Sequence, residues 1–347
     1  MKRYLILGSG IALGVYVPAL SVKKQLESLG HKADFLVLES LYEGKDAVME
    51  ETRRSFHTDF RLAKLSYRIP VRNRSAIDPD AKARLLKQLE EEAYDSIITF
   101  SGFWVEFLRE LMEVSPHYAD RITAVHMDAG RSLSWKGTDR SGIKEIWLYR
   151  LDTKEILCAL EPPAVSCKPE NRILVHGGGW GIGEYDSKIR KLNELGYPLD
   201  IIVYYPEEAP AEADMNEYYL LDPEWKTEKV KDEYPRLLHY QNREWNEVPV
   251  SRKEANPLRT LIEQDTAILS KPGGGTISDS LVTGTPLLFS EELASYEKDN
   301  KLLWLDQGFG MEFESFAADR DRDEALKRMH ERLLEANRNL PIITELL

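Results

Sequence analysis

The sequence predicts an α/β protein with two domains, each built on a parallel sheet flanked by helices, that face each other across a cleft. Strand and helix patterns alternate along the chain, a proline-rich stretch interrupts them near the middle, and glycine-rich turns follow several strands. Such alternation is typical of parallel sheets, which bind ligands at the carboxyl ends of their strands. A length of 347 residues suits about two domains.

The predicted first domain covers residues 1–157. Its expected strands are 3–7, 35–38, 96–100 and 122–127, and its expected helices are 17–29 and 103–114. Gly30 ends the first helix. The stretch from Cys158 to Pro169 contains three prolines and is interpreted as the linker between the domains.

The predicted second domain covers residues 168–318. Its expected strands are 172–176, 200–204 and 266–269, and its expected helices are 187–195 and 257–263. Residues 206–250 are polar with little periodicity, so no element is predicted there. The charged tail, 319–347, is expected to be helical.

Composition restricts the kind of partner and the compartment. The net charge of −13 argues against nucleic-acid binding and against adhesion to anionic lipid. No apolar run approaches the ~20 residues of a membrane span, so stable insertion is not expected. Cys158 and Cys167 form neither a disulfide framework nor a zinc pattern. A cytoplasmic protein is the resulting expectation.

The most informative segment runs from Ser270 to Asp279, with the sequence SKPGGGTISD. It follows a predicted strand and precedes a predicted helix, which is the arrangement that binds phosphate. Gly273, Gly274 and Gly275 let the backbone approach the oxygens, and free N–H groups at the helix start donate hydrogen bonds. Lys271 and Thr276 add a positive charge and a hydroxyl.

This segment resembles the nucleotide-sugar signature of glycosyltransferases with the GT-B fold, which has two Rossmann-like domains. Plant UDP-glucosyltransferases and the bacterial peptidoglycan N-acetylglucosaminyltransferase carry similar patterns. The resemblance assigns diphosphate binding to Lys271, Gly273 and Thr276, and ribose binding to Asp279. It also implies that the tail crosses back to the first domain over Asp321–Asn337.

The resemblance continues downstream through Gly284-Thr285-Pro286 and Gly308-Phe309-Gly310. Asn300 matches the Asn of the family pattern, and Glu297 stands where the family has a sugar-contacting Gln. In GT-B enzymes the glycine-rich loop that contains Gly178 and Gly179 approaches the donor as well. These residues complete the predicted donor site.

The first loop is open to two interpretations. As GxGxxxG after a strand it could bind a dinucleotide, with Glu39 as the ribose ligand. By the resemblance, Ser9, Gly10 and Gly14 instead belong to the acceptor-side loop. There the family often has GHxxP, but Val15 stands in place of the His and cannot accept a proton.

The predicted replacement for that base is His126 or Asp128. Both follow a strand in the first domain and, at i and i+2, would face the same side. A His with a carboxylate partner can remove a hydroxyl proton near neutral pH. The competing interpretation is a core His and a capping Asp. Ser101 and Glu106 are weaker candidates.

Two other patterns are weighed against simpler explanations. Residues 53–74 are basic and aromatic. They form either a solvated helix face or a segment that recognises an anionic acceptor. The acidic runs at Asp78–Asp80 and Asp319–Asp323 do not have the setting of a metal site. GT-B enzymes usually need no catalytic metal, so no metal and no cofactor are expected.

Together these patterns predict a glycosyltransferase that moves a sugar from a UDP-sugar or related donor to the hydroxyl of an unknown acceptor. By the resemblance, the reaction inverts the anomeric carbon. A nucleotide-sugar 2-epimerase or hydrolase on the same fold remains an alternative, as does a non-catalytic subunit that binds nucleotide-sugars. A dehydrogenase would not explain residues 266–310.

Overall fold

The computed structural model describes residues 1–10, 13–42, 46–67, 77–164, 171–210, 214–226, 232–248 and 255–347, without the side chains of 46–49. The strands of the first half are β1 (Arg3–Gly8), β2 (Lys32–Val37), β3 (Ser96–Thr99), β4 (Ile122–His126), β5 (Lys144–Trp147), β6 (Tyr149–Arg150) and β7 (Glu155–Ile156). Its helices are α1 (Leu13–Ser28), α2 (Asp46–Thr58), α3 (Phe60–Ser66), α4 (Pro79–Glu91) and α5 (Val105–Val114).

The strands of the second half are β8 (Ile173–Val175), β9 (Leu199–Val203), β10 (Glu217–Leu221), β11 (Leu237–Gln241), β12 (Glu244–Glu247), β13 (Ala267–Ser270), β14 (Leu287–Phe289) and β15 (Gly310–Glu312). Its helices are α6 (Asp186–Glu194), α7 (Pro257–Ile262), α8 (Gly274–Thr283), α9 (Ser295–Gln307), α10 (Phe313–Ala318), α11 (Arg322–Asn337) and α12 (Ile343–Leu346).

Each half contains a parallel sheet, as the alternating pattern predicts. The first has the order β2-β1-β3-β4-β5, with every neighbouring pair parallel. The second has the order β12-β11-β10-β9-β8-β13-β14-β15, with β11 and β12 antiparallel at one edge. Strands β10 to β12 lie in the region where no element is predicted. β12 is largely exposed, so its sequence lacks the apolar run of a buried strand.

The tail crosses to the first half later than expected. α11 packs on the second half, where Leu326 and Met329 join its core and the Asn337 amide donates to the Leu281 carbonyl. The crossing follows α11. The N–H of Ile343 donates to the Ala159 carbonyl at 2.9 Å, and Lys144 reaches the Leu346 carbonyl at 2.7 Å.

Two helices connect the halves around the cleft. The start of α1 packs against the start of α8, and a Cβ placed on Gly275 would lie 3.3 Å from the Cα of Gly14. α2 lies against the turn at 178–180. Cys158 is buried, whereas Val165–Pro169 of the predicted linker lies outside the described residues. None of the described helices combines the length and apolarity needed to cross a membrane.

Candidate functional site

A cavity of about 530 Å³ opens between the carboxyl ends of the two sheets, where ligands bind in α/β folds. Its wall includes the predicted residues Ser9, Gly14, Asp128, Gly178, Gly179, Lys271, Gly273, Gly274, Gly275, Thr276, Asp279 and Glu297. Gly10, His126 and Asn300 are not part of the wall. The fold therefore brings residues from distant parts of the chain to one place.

The turn after β13 has the form of an anion-binding helix start. α8 begins after Gly273, which supplies no side-chain cap, so the first N–H groups of the helix have no partner within it. Gly273, Gly274 and Gly275 all line the cavity. Thr276 places a hydroxyl in the first turn and lines the cavity. This geometry suits a diphosphate.

Lys271 is held beside this helix start by an ion pair. Its Nζ lies 2.8 Å from Oε1 of Glu297, whose Oε2 accepts the N–H of Leu293 at 2.6 Å. Burial opposes the charge of Lys271, but the Glu297 carboxylate outweighs it and raises the lysine pKa. Glu297 is only 1% exposed and both its oxygens are engaged, so the structure places it on Lys271 rather than free for sugar hydroxyls.

The second glycine turn, after β8, lies against Lys271 in the cavity wall. A Cβ placed on Gly178 would lie 3.4 Å from the lysine Nζ. The Gly178 N–H donates to Nδ1 of His176 at 3.1 Å, and its carbonyl accepts the hydroxyl of Tyr204. A Cβ on Gly179 would lie 2.8 Å from the Cβ of Leu13. The lack of side chains here lets the two halves approach closely.

Asp128 reaches from the first half to the start of α8. A Cβ placed on Gly274 would lie 2.7 Å from its Oδ1. Burial raises the pKa of the Asp128 carboxyl to about 7. A hydrogen bond of 2.9 Å from the Asn300 amide opposes this rise. A carboxyl with this pKa can accept a proton near neutral pH.

Asn300 connects the halves instead of facing the donor. Its Oδ1 accepts the N–H of Ala129 at 2.7 Å, and its Nδ2 donates to Asp128 and, at 2.9 Å, to the Pro272 carbonyl. The residue is fully buried. It therefore fixes Asp128 relative to the diphosphate turn, and the predicted direct contact with the donor has no support from its placement.

His126 does not face the cavity. It is 1% exposed, stacks on Trp147 at 4.0 Å, and its Nε2 lies 2.8 Å from Glu145. Burial lowers its pKa to about 4, and Glu145 opposes this shift. Trp135 packs on the ring and itself lines the cavity. The chain turns after β4, so Asp128 points to the cavity and His126 into the core.

The predicted ribose ligand Asp279 is part of a buried charged triad. Its Oδ1 accepts Nε and a terminal nitrogen of Arg259 at 3.2 and 2.8 Å, and Arg259 also pairs with Glu161. Burial raises the pKa of Asp279, and the positive charge of Arg259 opposes this rise. The side chain of Asp279 remains 12% exposed and lines the cavity. Its Oδ2 is therefore the oxygen that could contact a ribose.

The carboxylate of Glu39 stabilises the first loop. Its Oε1 accepts the Ser9 hydroxyl and its Oε2 the Gly10 N–H, each at 2.6 Å. In the dinucleotide interpretation these oxygens would bind a ribose. Their engagement disfavours that interpretation. Val15 lines the cavity where the family has a His.

The basic segment 53–74, predicted only as a whole, contributes Tyr67 to the cavity wall and brings His57 onto the second half. Tyr67 lines the cavity and is hydrogen-bonded to Tyr296, close to Lys271 and Glu297. His57 binds the Gly181 carbonyl at 2.8 Å through Nδ1 and Glu208 through Nε2. The aromatic content of the segment was the available signal. Its portion at 68–74 lies outside the described residues.

Within the described ranges, no three His, Cys, Asp or Glu side chains converge as they would around a metal ion. The acidic runs have structural roles there. Asp78 caps α4 by accepting the N–H of Ala81 at 2.7 Å, and Asp319 accepts that of Asp321 at 2.9 Å.

Comparison with known proteins identifies the architecture. No family model matches the chain, and no curated protein sequence matches it. Several solved structures match it in fold. The glycosyltransferase SnogD from Streptomyces nogalater has a TM-score of 0.57 at 12% identity, with 99% of this chain and 97% of that one covered. Arabidopsis thaliana UGT89C1, solved with UDP, has a TM-score of 0.55 at 13% identity, with 99% of this chain and 97% of that one covered.

The spinosyn rhamnosyltransferase SpnG, solved with thymidine diphosphate, has a TM-score of 0.54 at 11% identity, with 100% of this chain and 98% of that one covered. At these identities the likeness concerns the fold. The predicted architecture is thereby confirmed: the chain has the GT-B fold that these glycosyltransferases share.

Proposed function

We propose that the protein is a glycosyltransferase that moves a sugar from a nucleoside diphosphate donor to an acceptor hydroxyl, with inversion and without a metal. The observation that carries this proposal is the pairing of an anion-binding turn in one half with a carboxyl from the other. Lys271 and the start of α8 suit the diphosphate, and Asp128 lies against that same helix start.

In this mechanism the acceptor oxygen attacks the anomeric carbon of the donor sugar. The bond from that carbon to the diphosphate oxygen breaks, and its electron pair leaves with the nucleoside diphosphate. The ionised Asp128 carboxylate takes the acceptor proton. Lys271 and the N–H groups of α8 stabilise the charge on the leaving diphosphate. Glu297 positions Lys271, and Asn300 positions Asp128.

The wall on the first-half side of the cavity suggests the kind of acceptor. It carries apolar and aromatic side chains, among them Val15, Phe56, Phe103 and Trp135, interspersed with serines such as Ser101. Arg54 from the basic segment is engaged at 2.7 Å by Glu207. We therefore propose a hydroxyl on an apolar, ring-containing acceptor in place of an anionic one. The cytoplasmic location stays a prediction.

The first test is a thermal-shift panel with UDP, TDP, GDP, their sugar conjugates and NADPH. A ligand that binds the folded state raises the melting temperature. We expect a shift with at least one nucleoside diphosphate and none with NADPH. A shift with NADPH alone would overturn the proposal.

Turnover separates the proposal from its alternatives. The donor that binds is incubated with and without a panel of neutral phenolic acceptors, and released diphosphate is measured. We expect release that depends on the acceptor. Release without any acceptor would favour a hydrolase or a 2-epimerase. Binding without turnover would favour a non-catalytic subunit.

A further inference from the structure

His176 has a hydrogen-bond donor that no described group satisfies. The residue directly follows β8, lines the cavity and is 4% exposed. Its Nδ1 accepts the Gly178 N–H, so the proton of the neutral ring is on Nε2. Nε2 is buried and has no hydrogen-bond partner. Buried polar groups without partners are uncommon and often have a functional reason.

The ring stays neutral under ordinary conditions. Burial lowers the pKa of His176 to about 3, and the positive charge of Lys271 contributes to the lowering. Nε2–H is therefore a permanent donor and not an acid that titrates near neutral pH. A neutral donor can lie beside a lysine, whereas an imidazolium there would be repelled.

Lys271 and His176 converge on one turn. The lysine Nζ lies near Gly178, and the N–H of Gly178 is the group that orients the His176 ring. Glu297 supplies an acceptor for Lys271 but none for His176. An anion with several oxygens would satisfy both donors. The diphosphate of the proposed donor is such an anion.

We propose that His176 is a catalytic residue that donates its Nε2–H to an oxygen of the donor diphosphate, beside Lys271. This inference rests on the proposed function. As the sugar–oxygen bond breaks, the electron pair stays on the diphosphate and the hydrogen bond from His176 strengthens. No proton is transferred from the ring.

Two substitutions at His176 test the roles of the two ring nitrogens separately. In His176→Asn the amide oxygen can still accept the Gly178 N–H, but the donor at Nε2 is lost. In His176→Gln the amide nitrogen can reach the Nε2 position. We expect His176→Asn to weaken UDP binding at least about tenfold and His176→Gln to stay within about threefold of the wild type. His239→Asn, a change on β11, is the matched control.

A uridine titration distinguishes phosphate contact from a structural role. Uridine has no phosphate, so His176→Asn should leave its affinity unchanged. Equal losses for UDP and uridine, or no loss for either, would overturn the inference. If the wild-type protein binds no nucleoside diphosphate at all, the proposed function fails first.

A third measurement applies if both variants unfold. In the wild-type protein the imidazole ¹⁵N and ¹H signals of His176 report the hydrogen bond of Nε2 directly. We expect the Nε2–H proton to move downfield when UDP is added and to stay in place with uridine. An unchanged signal at saturating UDP would contradict the proposal.

Discussion

Asp128 lies where the first half meets the start of α8, and burial raises the pKa of its carboxyl to about 7. A base must be ionised to act, so kcat/KM should fall about tenfold per pH unit below pH 7. Asp128→Asn should lower kcat at least about 10²-fold while the Kd for UDP stays within about threefold. A pH–rate profile and a UDP titration measure both effects. Full activity of Asp128→Asn would remove its role as base.

The ionised form of Asp128 should lower the free energy of unfolding. Its folded pKa lies above the ordinary value of 3.8, so the ionised carboxylate is disfavoured in the fold. That cost is fully present above pH 7 and absent below pH 3.8. Asp128→Asn should therefore raise the melting temperature more at pH 8 than at pH 5. An equal rise at both values would show that the charge of Asp128 costs no stability.

Asp279 has one oxygen on Arg259, and its side chain lines the cavity. Asp279→Asn keeps the shape of the side chain but removes the charge. If Oδ2 accepts a ribose hydroxyl, this variant should bind UDP about tenfold more weakly, as expected for a lost charged hydrogen bond. Binding of inorganic pyrophosphate, which has no ribose, should be unchanged. An unchanged Kd for UDP would exclude the ribose role.

At the scale of elements, the close approach of α1 to the turn after β8 depends on Gly179. A methyl group at Gly179 would lie 2.8 Å from the Cβ of Leu13, too close for the two halves to meet. Gly179→Ala should weaken UDP binding about tenfold, measured by calorimetry. Leu13→Ala in the same chain should not restore the affinity, because the Cβ and the backbone N of residue 13, at 2.8 and 2.9 Å, remain in place. An unchanged Kd for UDP in Gly179→Ala would show that this contact does not control binding.

Element by element, the sequence is most predictive where the pattern is local. Strands β1, β4, β9 and β13 are almost wholly buried, so their apolar runs are visible in the sequence. Strands β10 to β12 were missed because the outer two are partly exposed and paired antiparallel. α1 begins earlier than predicted and continues through Pro18.

At the scale of the whole molecule, α2 connects the two halves beside the cavity. His57 binds Gly181 and Glu208, Arg54 pairs with Glu207, and Phe56 packs on Trp180. Burial lowers the pKa of His57, but the Glu208 carboxylate outweighs it, so the pKa is raised. The protonated ring therefore stabilises the contact of α2 with the second half, which is called the closed state below.

Because the pKa is raised in the closed state, this stabilisation is complete below the ordinary value of 6.5 and is lost as pH rises through the raised pKa. His57→Gln should remove it and weaken UDP binding about fivefold below pH 6.5. Above the raised pKa the difference from the wild type should shrink. A loss that does not depend on pH would show that the charge of His57 has no part in closure. Glu217→Gln, which alters a His–Glu pair on the surface, is the control.

The sequence by itself determined the alternation of strands and helices and the glycine turn from Lys271 to Thr276. These features depend on burial patterns and backbone conformation within a few neighbouring residues. Only the tertiary structure decided which charged and polar groups remain free. Glu297, Glu39 and Asn300 match motif positions in the sequence, yet the fold gives each a partner from a distant segment.

Asp128 and His126 show the same contrast between sequence pattern and tertiary structure. Their spacing predicts a shared face, but the chain turns after β4 and separates them, so one lines the cavity and the other packs on Trp147. Burial and the charges of distant residues set the pKa values of both. Those quantities depend on three-dimensional proximity, which spacing along a single chain does not specify.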